Sequence, residues 1–318
     1  MRTRRSQTSD DPVSAEKSPS DGGGHQSVLL HEVIEQMHLS KGKTIVDATL
    51  GGAGHAEEIT KLLGKTGTFV GFDADQAAIA RAHIRLAKSN SSIHLVHRNF
   101  RYLAEELKAL EISEVDAFFF DLGWSSFQLD SGRGFSFKND EPLLMTYTEA
   151  PSEEEITAQE IVNMWAEESI ADVLYGWGEE RYARKIAKAI LKYRVGKPIT
   201  SAKQLADIVY EAVPAIYRHG RVHPATKTFQ ALRIAVNDEL GTLSVALPAA
   251  LSLLRSGGRL LVISFHSLED RIVKHTFRSW QEEGMGEVCT RRPITPGSSE
   301  LKVNPRARSA KLRVFEKH

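Results

Sequence analysis

The sequence predicts an α/β protein in which a mostly parallel sheet, covered by helices on both faces, is interrupted by an all-helical insertion. Short β-branched or aromatic runs alternate with amphipathic segments up to about residue 121. The pattern then changes to helical periodicity broken by Pro and Gly, and the alternation resumes after residue 223. Strands that alternate with helices form right-handed βαβ units and hence a parallel sheet, whereas apolar residues at a spacing of three and four predict helices.

The first part of the chain supplies four predicted strands with helices between them. Apolar residues at helical spacing predict an opening helix at 25–37. Almost wholly apolar runs are typical of strands that are buried on both faces. The predicted strands are 44–48, 68–72, 93–96 and 115–120, and the predicted helices between them are 53–63, 75–87 and 102–110.

The remaining elements define the predicted domain organisation. In the insertion, helices are predicted at 153–165, 169–175, 179–193 and 202–213. Beyond it, helical sequence runs over 226–240 and on to 255, followed by a strand at 259–265, a helix at 268–280 and an antiparallel edge strand at 310–315. We expect a disordered tail at 1–24, because charged residues mix there with Ser, Pro and Gly. The sheet domain is assigned to 25–130 and 224–318, and the helical insertion to 131–223.

Composition excludes several classes of protein. The 318 residues are 41% apolar and 26% charged, as in ordinary globular proteins rather than disordered ones. The single cysteine, Cys289, excludes an internal disulfide and a four-ligand zinc site, no metal is expected, and a reducing, cytoplasmic location is favoured. No apolar run is long enough to span a membrane.

Charge is unevenly distributed although the formal net charge is zero. Residues 149–168 contain seven carboxylates and no Lys or Arg, whereas residues 181–227 contain eleven basic and two acidic side chains. Clustered cations favour a polyanionic partner, because neutralising phosphates releases counterions. Solvated helix faces are an equally simple explanation. The cations that would contact such a partner are Arg181, Arg184, Lys185, Lys188, Lys192, Arg194 and Lys197.

A glycine loop follows the first predicted strand and predicts a nucleoside site. The sequence DATLGGAGH at 47–55 lies at the carboxyl end of that strand, where such sheets bind ligands. Asp73 comes directly after the second strand, in place to accept hydrogen bonds from two ribose hydroxyls. The dinucleotide pattern G-x-G-x-x-G is absent, because Glu57 stands three residues after Gly54. S-adenosylmethionine, which carries an ammonium group and no phosphate, is therefore favoured over NAD, and a tight turn without a ligand is the structural alternative.

Three further residues near strand ends are candidates. His55 at the start of a helix is placed either to donate to an anion or simply to cap the helix. Phe100 either lies against an adenine ring or belongs to the core. Asp121 ends a strand otherwise too apolar for a carboxylate, and a charge there costs free energy unless it meets a partner or ligand.

Longer motifs resemble one family. DLGWSSFQLD at 121–130 and RGFSF at 133–137 are similar to the bacterial 16S ribosomal RNA (cytosine-N4)-methyltransferase family. The likeness extends to GEERYARKIAKA at 178–189, HPATKTFQALRIAVNDEL at 223–240, SFHSLEDRIVK at 264–274 and NPRARS at 304–309. It covers nearly everything after the tail.

The resemblance implies a class I S-adenosylmethionine-dependent methyltransferase, Rossmann-like in its sheet, whose helical insertion recognises RNA. It implies S-adenosylmethionine as methyl donor and, as acceptor, the N4 amine of a cytidine in the decoding region of 16S ribosomal RNA, in naked RNA or the small ribosomal subunit. The family positions that hold the donor are here Ala53, Gly54, His55, Asp73, Phe100, Asp121 and Gln128.

The chain departs from the family pattern around the expected acceptor site. Trp124 and Phe127 stand where the family usually has a smaller aliphatic residue and proline. Glu141, Leu144 and Thr146 replace a glycine, an acid and an arginine.

We expect Asp121 and the turn at 123–126 to line the place where donor methyl group and amine meet, with Asp121 as the catalytic candidate. The cluster at 264–271 is expected either to contact the extruded base or to cap a helix through Ser267 and Asp270. Trp124 or Phe265 would stack on that base. Other classes stay open at this point: a non-catalytic RNA-binding protein, a nicotinamide oxidoreductase, or methyl transfer to DNA or protein. The oligomeric state is open as well.

Overall fold

The computed structural model describes residues 26–123, 126–152 and 155–318. The predicted tail at 1–24, Trp124 and the predicted helix start at residue 153 lie outside the described residues. Seven strands form one sheet in the order β3-β2-β1-β4-β5-β7-β6. The strands are β1 (Thr44–Asp47), β2 (Thr68–Asp73), β3 (Ser92–His97), β4 (Val115–Asp121), β5 (Leu254–Ser264), β6 (Gly286–Val288) and β7 (Lys311–Lys317).

Helices connect these strands and build the insertion. Before the insertion they are α1 (Leu30–Gln36), α2 (Gly54–Leu63), α3 (Gln76–Leu86), α4 (Leu103–Ala109) and the short α5 (Ser126–Leu129). In the middle of the chain follow α6 (Ala158–Met164), α7 (Glu167–Gly176), α8 (Ala183–Arg194), α9 (Ala202–Ala212), α10 (Ala215–Arg218) and α11 (Ala225–Asn237). The last are α12 (Glu239–Leu253), α13 (Ser267–Glu282) and α14 (Ser298–Val303).

The predicted fold class is confirmed. Strands β1 to β5 pair in parallel, and only β7 runs antiparallel to its neighbours β5 and β6. Successive side chains of β4 point to opposite faces, so Ala117 and Phe119 enter one apolar core while Phe118 and Phe120 enter the other. The doubly covered sheet explains why its strands are continuous apolar runs.

The insertion has an apolar core of its own. Buried residues of α6, α7, α8 and α9 pack together, and Phe229 and Leu232 of α11 complete the cluster. By packing, the helical unit therefore extends past residue 223 and includes α11.

The prediction that the last strand lies at the sheet edge is wrong. The antiparallel pairing of β7 is confirmed, but β6 covers its outer side. The short β6 was not predicted because its three residues show no alternation of apolar and polar side chains. Gly286 allows the close pairing with β7, since a Cβ there would lie 2.2 Å from the carbonyl oxygen of Glu316.

Several helices begin later than predicted, for local reasons. Leu29 adopts a left-handed conformation, so α1 begins at Leu30 rather than at residue 25. Glu179 has φ 47°, and the Glu180 side chain accepts the amide of Tyr182, so α8 begins at Ala183 rather than at residue 179. Within the described residues, no helix combines the length and the apolar character needed to cross a bilayer.

Candidate active site

A cleft of about 610 Å³ opens at the carboxyl ends of β1, β2, β4 and β5. Parallel strands bring their carboxyl ends to one edge, which is where α/β sheets bind ligands. Six of the seven predicted donor residues line this cleft: Gly54, His55, Asp73, Phe100, Asp121 and Gln128. Ala53 does not line it, since its side chain is fully buried in the core.

The glycine loop between β1 and α2 is shaped by its backbone. Gly51 and Ala53 both have positive φ, at 51° and 56°, and Ala53 is the residue immediately before α2. A Cβ on Gly54 would lie 2.0 Å from the hydroxyl oxygen of Ser27. The segment before α1 thus packs directly on the loop at Gly54, and a larger residue there would displace the Ser27 hydroxyl.

Asp73 joins the end of β2 to this loop. Its two carboxylate oxygens accept the amides of Gly51 and Asp75, both at 2.8 Å. Burial raises the pKa of Asp73 to about 6, and the two amide bonds only partly oppose this. Each carboxylate oxygen has a second lone pair, so the group retains capacity to accept ribose hydroxyls.

Asp47 at the end of β1 is only 1% exposed. Burial, reinforced by the nearby charge of Asp73, raises the pKa of Asp47 to about 7 although the amide of Thr49 donates to it. A carboxyl group held in this way is stabilised in its charged form by any cation that enters the cleft.

Asp121 at the end of β4 has a carboxylate oxygen without a hydrogen-bond partner. Its amide donates to the hydroxyl of Thr49 at 2.6 Å, which fixes the backbone, whereas its Oδ1 is buried and unpartnered. Burial, together with the charges of Asp47 and Glu269, raises the pKa of Asp121 well above its ordinary value. Buried polar atoms are nearly always satisfied, so an unpartnered acceptor on a residue that lines the cleft marks a candidate functional site.

His55 is oriented by two contacts. Its Nε2 lies 3.0 Å from the carbonyl oxygen of Val28 and therefore donates to it, and its ring meets Phe119 edge to face at 4.7 Å. Its Nδ1 lies 3.7 Å from Asp121 Oδ2. The ring thus connects the segment before α1 to the carboxylate of β4.

A model of one family decides the classification. The description "MraW methylase family" matches residues 23–318 of the chain. The chain belongs to the MraW methylase family.

Curated relatives cover nearly the whole length of this methylase. One from Paenibacillus sp. (strain JDR-2) is named ribosomal RNA small subunit methyltransferase H and is 44% identical over 92% of this chain and 99% of its own. A relative of the same name from Sulfurihydrogenibium sp. (strain YO3AOP1) is 45% identical over 91% of this chain and 98% of its own. A solved rRNA methylase from Streptococcus thermophilus aligns with a TM-score of 0.41 and 12% identity, over 91% of this chain and 92% of that one.

S-adenosylmethionine is the methyl donor of this MraW methylase, and the side chains of the cleft fit that molecule. Asp73, Asp121 and Glu269 line the cleft with carboxylates, and the charge of the buried Asp47 acts on Asp121, whereas the donor carries a sulfonium and an ammonium group. The Asp121 side chain, which is 24% exposed, adds a further acceptor to the lining of the cleft.

The cleft of the methylase is also lined by three polar residues that the sequence analysis did not identify as site residues: Tyr147, Asn237 and Glu239. The hydroxyl of Tyr147 donates to Glu239 at 2.8 Å, and Arg233 forms two bonds to the same carboxylate at 2.7 and 2.8 Å. Asn237 accepts the amide of Tyr147 and so holds this tyrosine at the cleft. The motif NDEL at 237–240 belongs to the family resemblance. Its pattern does not indicate that Asn237 and Glu239 contact Tyr147, which lies far away along the chain.

The cluster after β5 both caps α13 and faces the cleft. His266 is the residue before α13 and forms a reciprocal capping pair with Glu269, in place of the predicted Ser267 and Asp270. Burial acts to raise the pKa of Glu269, but the nearby His266 ring outweighs it and the pKa lies below its ordinary value. Ser267 instead donates to Glu179, and Asp270 pairs with Lys311 and Arg313. Phe265 and Glu269 line the cleft.

Of the described departures from the family pattern, Phe127 alone lines the cleft. It is 40% exposed, and the Arg81 guanidinium lies 4.3 Å from its ring centroid. Glu141 accepts the amide of Gly134, and the hydroxyl of the buried Thr146 donates to Thr148, so both act within the insertion.

The basic side chains of the insertion divide into an exposed set on α8 and two others that are placed differently. Arg184, Lys185, Lys188 and Lys192 are exposed on α8, whereas Arg181 lies in the turn before the helix begins. Arg194 is partly buried, and it donates to the carbonyl of Val162. Across residues 155–318, the salt bridges of the structure include none of the four exposed cations on α8.

Proposed function

We propose that the protein transfers a methyl group from S-adenosylmethionine to the N4 amine of a cytidine in the decoding region of 16S ribosomal RNA. Four curated relatives named ribosomal RNA small subunit methyltransferase H, at 41 to 45% identity, support ribosomal RNA as the acceptor. The observation that carries the choice of an amine is the unpartnered, buried Oδ1 of Asp121 at the cleft. It is an acceptor in need of an N–H donor, which an exocyclic amine supplies.

Asp121 performs the orienting step. The lone pair of a cytosine amine is delocalised into the ring, which makes the amine a poor nucleophile. S-adenosylmethionine supplies an electrophilic methyl group. A carboxylate that accepts one N–H bond localises the lone pair and fixes the direction of attack, and positioning of this kind lowers the barrier by several kcal/mol. Because the amine loses its proton only after it has been methylated, no strong base is required beforehand.

The donor residues have separate tasks in this proposal. Asp73 accepts the ribose hydroxyls, and Phe100, held edge to face against Phe120 at 5.5 Å, lies beside the adenine. Gly54 and His55 form the floor beneath the amino-acid part of the donor, and Gln128, which is 8% exposed, closes the cleft from α5. Ala53 acts through its backbone, which turns the loop into α2.

The helical insertion and the region after β5 recognise the RNA. The exposed cations of α8 contact phosphates, and Phe265 at the cleft stacks on the extruded base. Trp124 was the other candidate for stacking on the base, and it lies outside the described residues. A ribosomal RNA substrate places the enzyme in the cytoplasm.

Mass spectrometry of ribosomal RNA tests the proposal. Small-subunit RNA from cells with and without the protein is digested to nucleosides, and naked RNA and assembled subunits are methylated in vitro with labelled donor. We expect N4-methylcytidine at one position only when the protein is present. Label in DNA or protein, or donor binding without any transfer to RNA, contradicts the proposal and points to the other acceptors or to a non-catalytic RNA-binding protein.

A further inference from the structure

We propose that Arg181, Tyr182 and Tyr217 form a stacking platform for an unpaired base that neighbours the target cytidine. This inference rests on the proposed function and names how the RNA is held beside the cleft. The platform lies on the helical insertion, between the turn before α8 and helix α10.

The side chain of Arg181 is held by two aromatic rings. Its guanidinium carbon lies 4.9 Å from the ring centroid of Tyr182 and 4.8 Å from that of Tyr217. The two tyrosine rings themselves meet edge to face at 5.0 Å. Cation–π contacts of this geometry order an arginine that would otherwise be mobile, and Arg181 is nevertheless exposed.

A buried carboxylate fixes both tyrosines. Glu180 is 0% exposed; its Oε1 accepts the amide of Tyr182 at 2.8 Å and its Oε2 accepts the hydroxyl of Tyr217 at 2.7 Å. Because burying a carboxylate is costly without such bonds, they tie α10 firmly to the start of α8. The tyrosine pair is thus a rigid base on which the guanidinium rests.

Arg181 has no carboxylate partner among the residues that the structure describes. Nearby positive charge adds to its own, since the ammonium of Lys185 lies 5.7 Å from the ring of Tyr182. A guanidinium that rests on two tyrosine rings and pairs with no carboxylate offers its exposed side to a further planar partner. Unpaired RNA bases stack on aromatic rings and on arginine planes in this way.

The platform is connected to the cleft through Glu179. That carboxylate accepts the hydroxyl of Ser267 at 2.8 Å and pairs with Arg271 at 2.9 Å, both on α13. The Cα atoms of residues 179 and 181 are at most about 7.6 Å apart, because consecutive Cα atoms are separated by 3.8 Å. Helix α13 also carries Glu269, which lines the cleft, so contacts through Glu179 and α13 join the platform to the cleft.

A pair of charge-conserving substitutions tests the platform. Arg181→Lys removes the planar group but keeps the charge, and Arg278→Lys, an exposed arginine on α13 with no part in the proposed RNA contacts, is the matched control. Binding is measured by fluorescence anisotropy on a small-subunit RNA fragment that holds the target in an unpaired segment. We expect Arg181→Lys to weaken RNA binding about tenfold, the size of one lost stacking contact, and Arg278→Lys to change it less than twofold. The affinity for S-adenosylmethionine should remain unchanged in both variants, which shows that they are folded.

Abasic RNAs identify the stacked base. Removing the base at one position beside the target should weaken binding to the wild type about tenfold and leave binding to Arg181→Lys unaffected. If every abasic RNA loses the same affinity for the wild type and for Arg181→Lys, the platform is wrong. It is also wrong if the two lysine variants bind the intact RNA with equal affinity. If Arg181→Lys binds free RNA normally and is impaired only on assembled subunits, the partner is a protein and the platform is wrong. A wild type that methylates no RNA contradicts the proposed function itself, which keeps the two failures distinguishable.

Discussion

The cleft and the exposed face of α8 carry charges of opposite sign in opposite environments. Asp73 and Asp121 line the cleft at the ends of β2 and β4, Asp47 is buried at the end of the neighbouring β1, and burial raises the pKa of each. On α8, Arg184, Lys185 and Lys188 are exposed to solvent. A formal net charge of zero therefore hides local excesses of opposite sign at these two places.

The difference shows how one protein can bind a cationic donor, S-adenosylmethionine, and a polyanion, RNA, at the same time. Buried carboxylates interact strongly with a bound cation, because little water screens them. Exposed cations contribute little singly, are screened by salt, and act as a group on a phosphate chain. We therefore expect substitutions at the cleft to have large effects that depend on pH, and substitutions on α8 to have small effects that depend on salt.

The largest effect is expected from Asp47→Asn on stability. Because the folded-state pKa is raised from 3.8 to about 7, the carboxyl group contributes stability below pH 4 that is lost as the pH rises through 7. In the donor-free protein, the variant should therefore match the wild type at pH 4 and exceed it at pH 8 by up to about 4 kcal/mol, at about 1.4 kcal/mol per pKa unit. Urea unfolding across this pH range measures the difference.

Asp116→Asn is the matched control for that experiment. Asp116 is also a buried aspartate, but it lies near the amino end of β4, where it accepts the amide of Thr44 and pairs with Arg255. Its substitution should destabilise the protein at pH 8. If Asp47→Asn destabilises to a similar degree at pH 8, burial does not impose the proposed free-energy cost on the ionised Asp47.

The second effect concerns turnover. Asp121→Ala should lower kcat about 10²–10³-fold at saturating donor and RNA, as the loss of one preorganised transition-state contact does elsewhere. Single-turnover methylation of RNA gives the rate. Asp130→Ala, another cleft carboxylate but an exposed one, serves as the control and should stay within a few-fold of wild type. Normal turnover of Asp121→Ala would remove this residue from the reaction.

The third effect concerns donor affinity. Asp73→Ala should weaken S-adenosylmethionine binding by about 1.5–3 kcal/mol through the lost charge-assisted bonds to ribose. Calorimetry should also show that wild-type binding tightens as the pH rises through about 6, where Asp73 ionises. An affinity that is unchanged by the substitution contradicts the ribose assignment.

The smallest effect is expected on α8. The double variant Lys188→Glu and Lys192→Glu should weaken RNA binding about tenfold at low salt and reduce the slope of log K against log salt by about 1.4, at about 0.7 per lost phosphate contact on single strands. Donor affinity should remain constant. Salt slopes that are identical in variant and wild type would show that α8 is an ordinary solvated surface.

Much of the fold could be predicted because buried parallel strands leave an unmistakable apolar signal. β1, β2 and β4 lie within about one residue of their predicted bounds, and the change to helical periodicity marks the insertion. The short β6 was missed because three residues centred on Glu287 show no alternation. The bounds of α1 and α8 were displaced because left-handed residues such as Leu29 and Glu179 are neither Gly nor Asn, the types that announce such a turn.

The cleft was predictable where chain position alone determines it. Asp73 and Asp121 follow strands whose ends meet at one edge, so their spacing along the chain already placed them together. Tyr147 and Glu239 were not predictable, since they meet only because the insertion folds back across α12. Long-range contacts of this kind have no periodic signature.

The central strand pair has a consequence for the order of folding. Asp121 of β4 pairs with Ile263 of β5, about 140 residues later, and the whole helical unit lies between them. Closing so long a loop is slow when the intervening chain is unstructured, since contacts between distant residues must wait for chance encounter. Because the helical unit has its own core, it can collapse first and shorten the distance between the two strands. Variants that weaken only that core should therefore slow refolding of the sheet, and with it the appearance of the cleft.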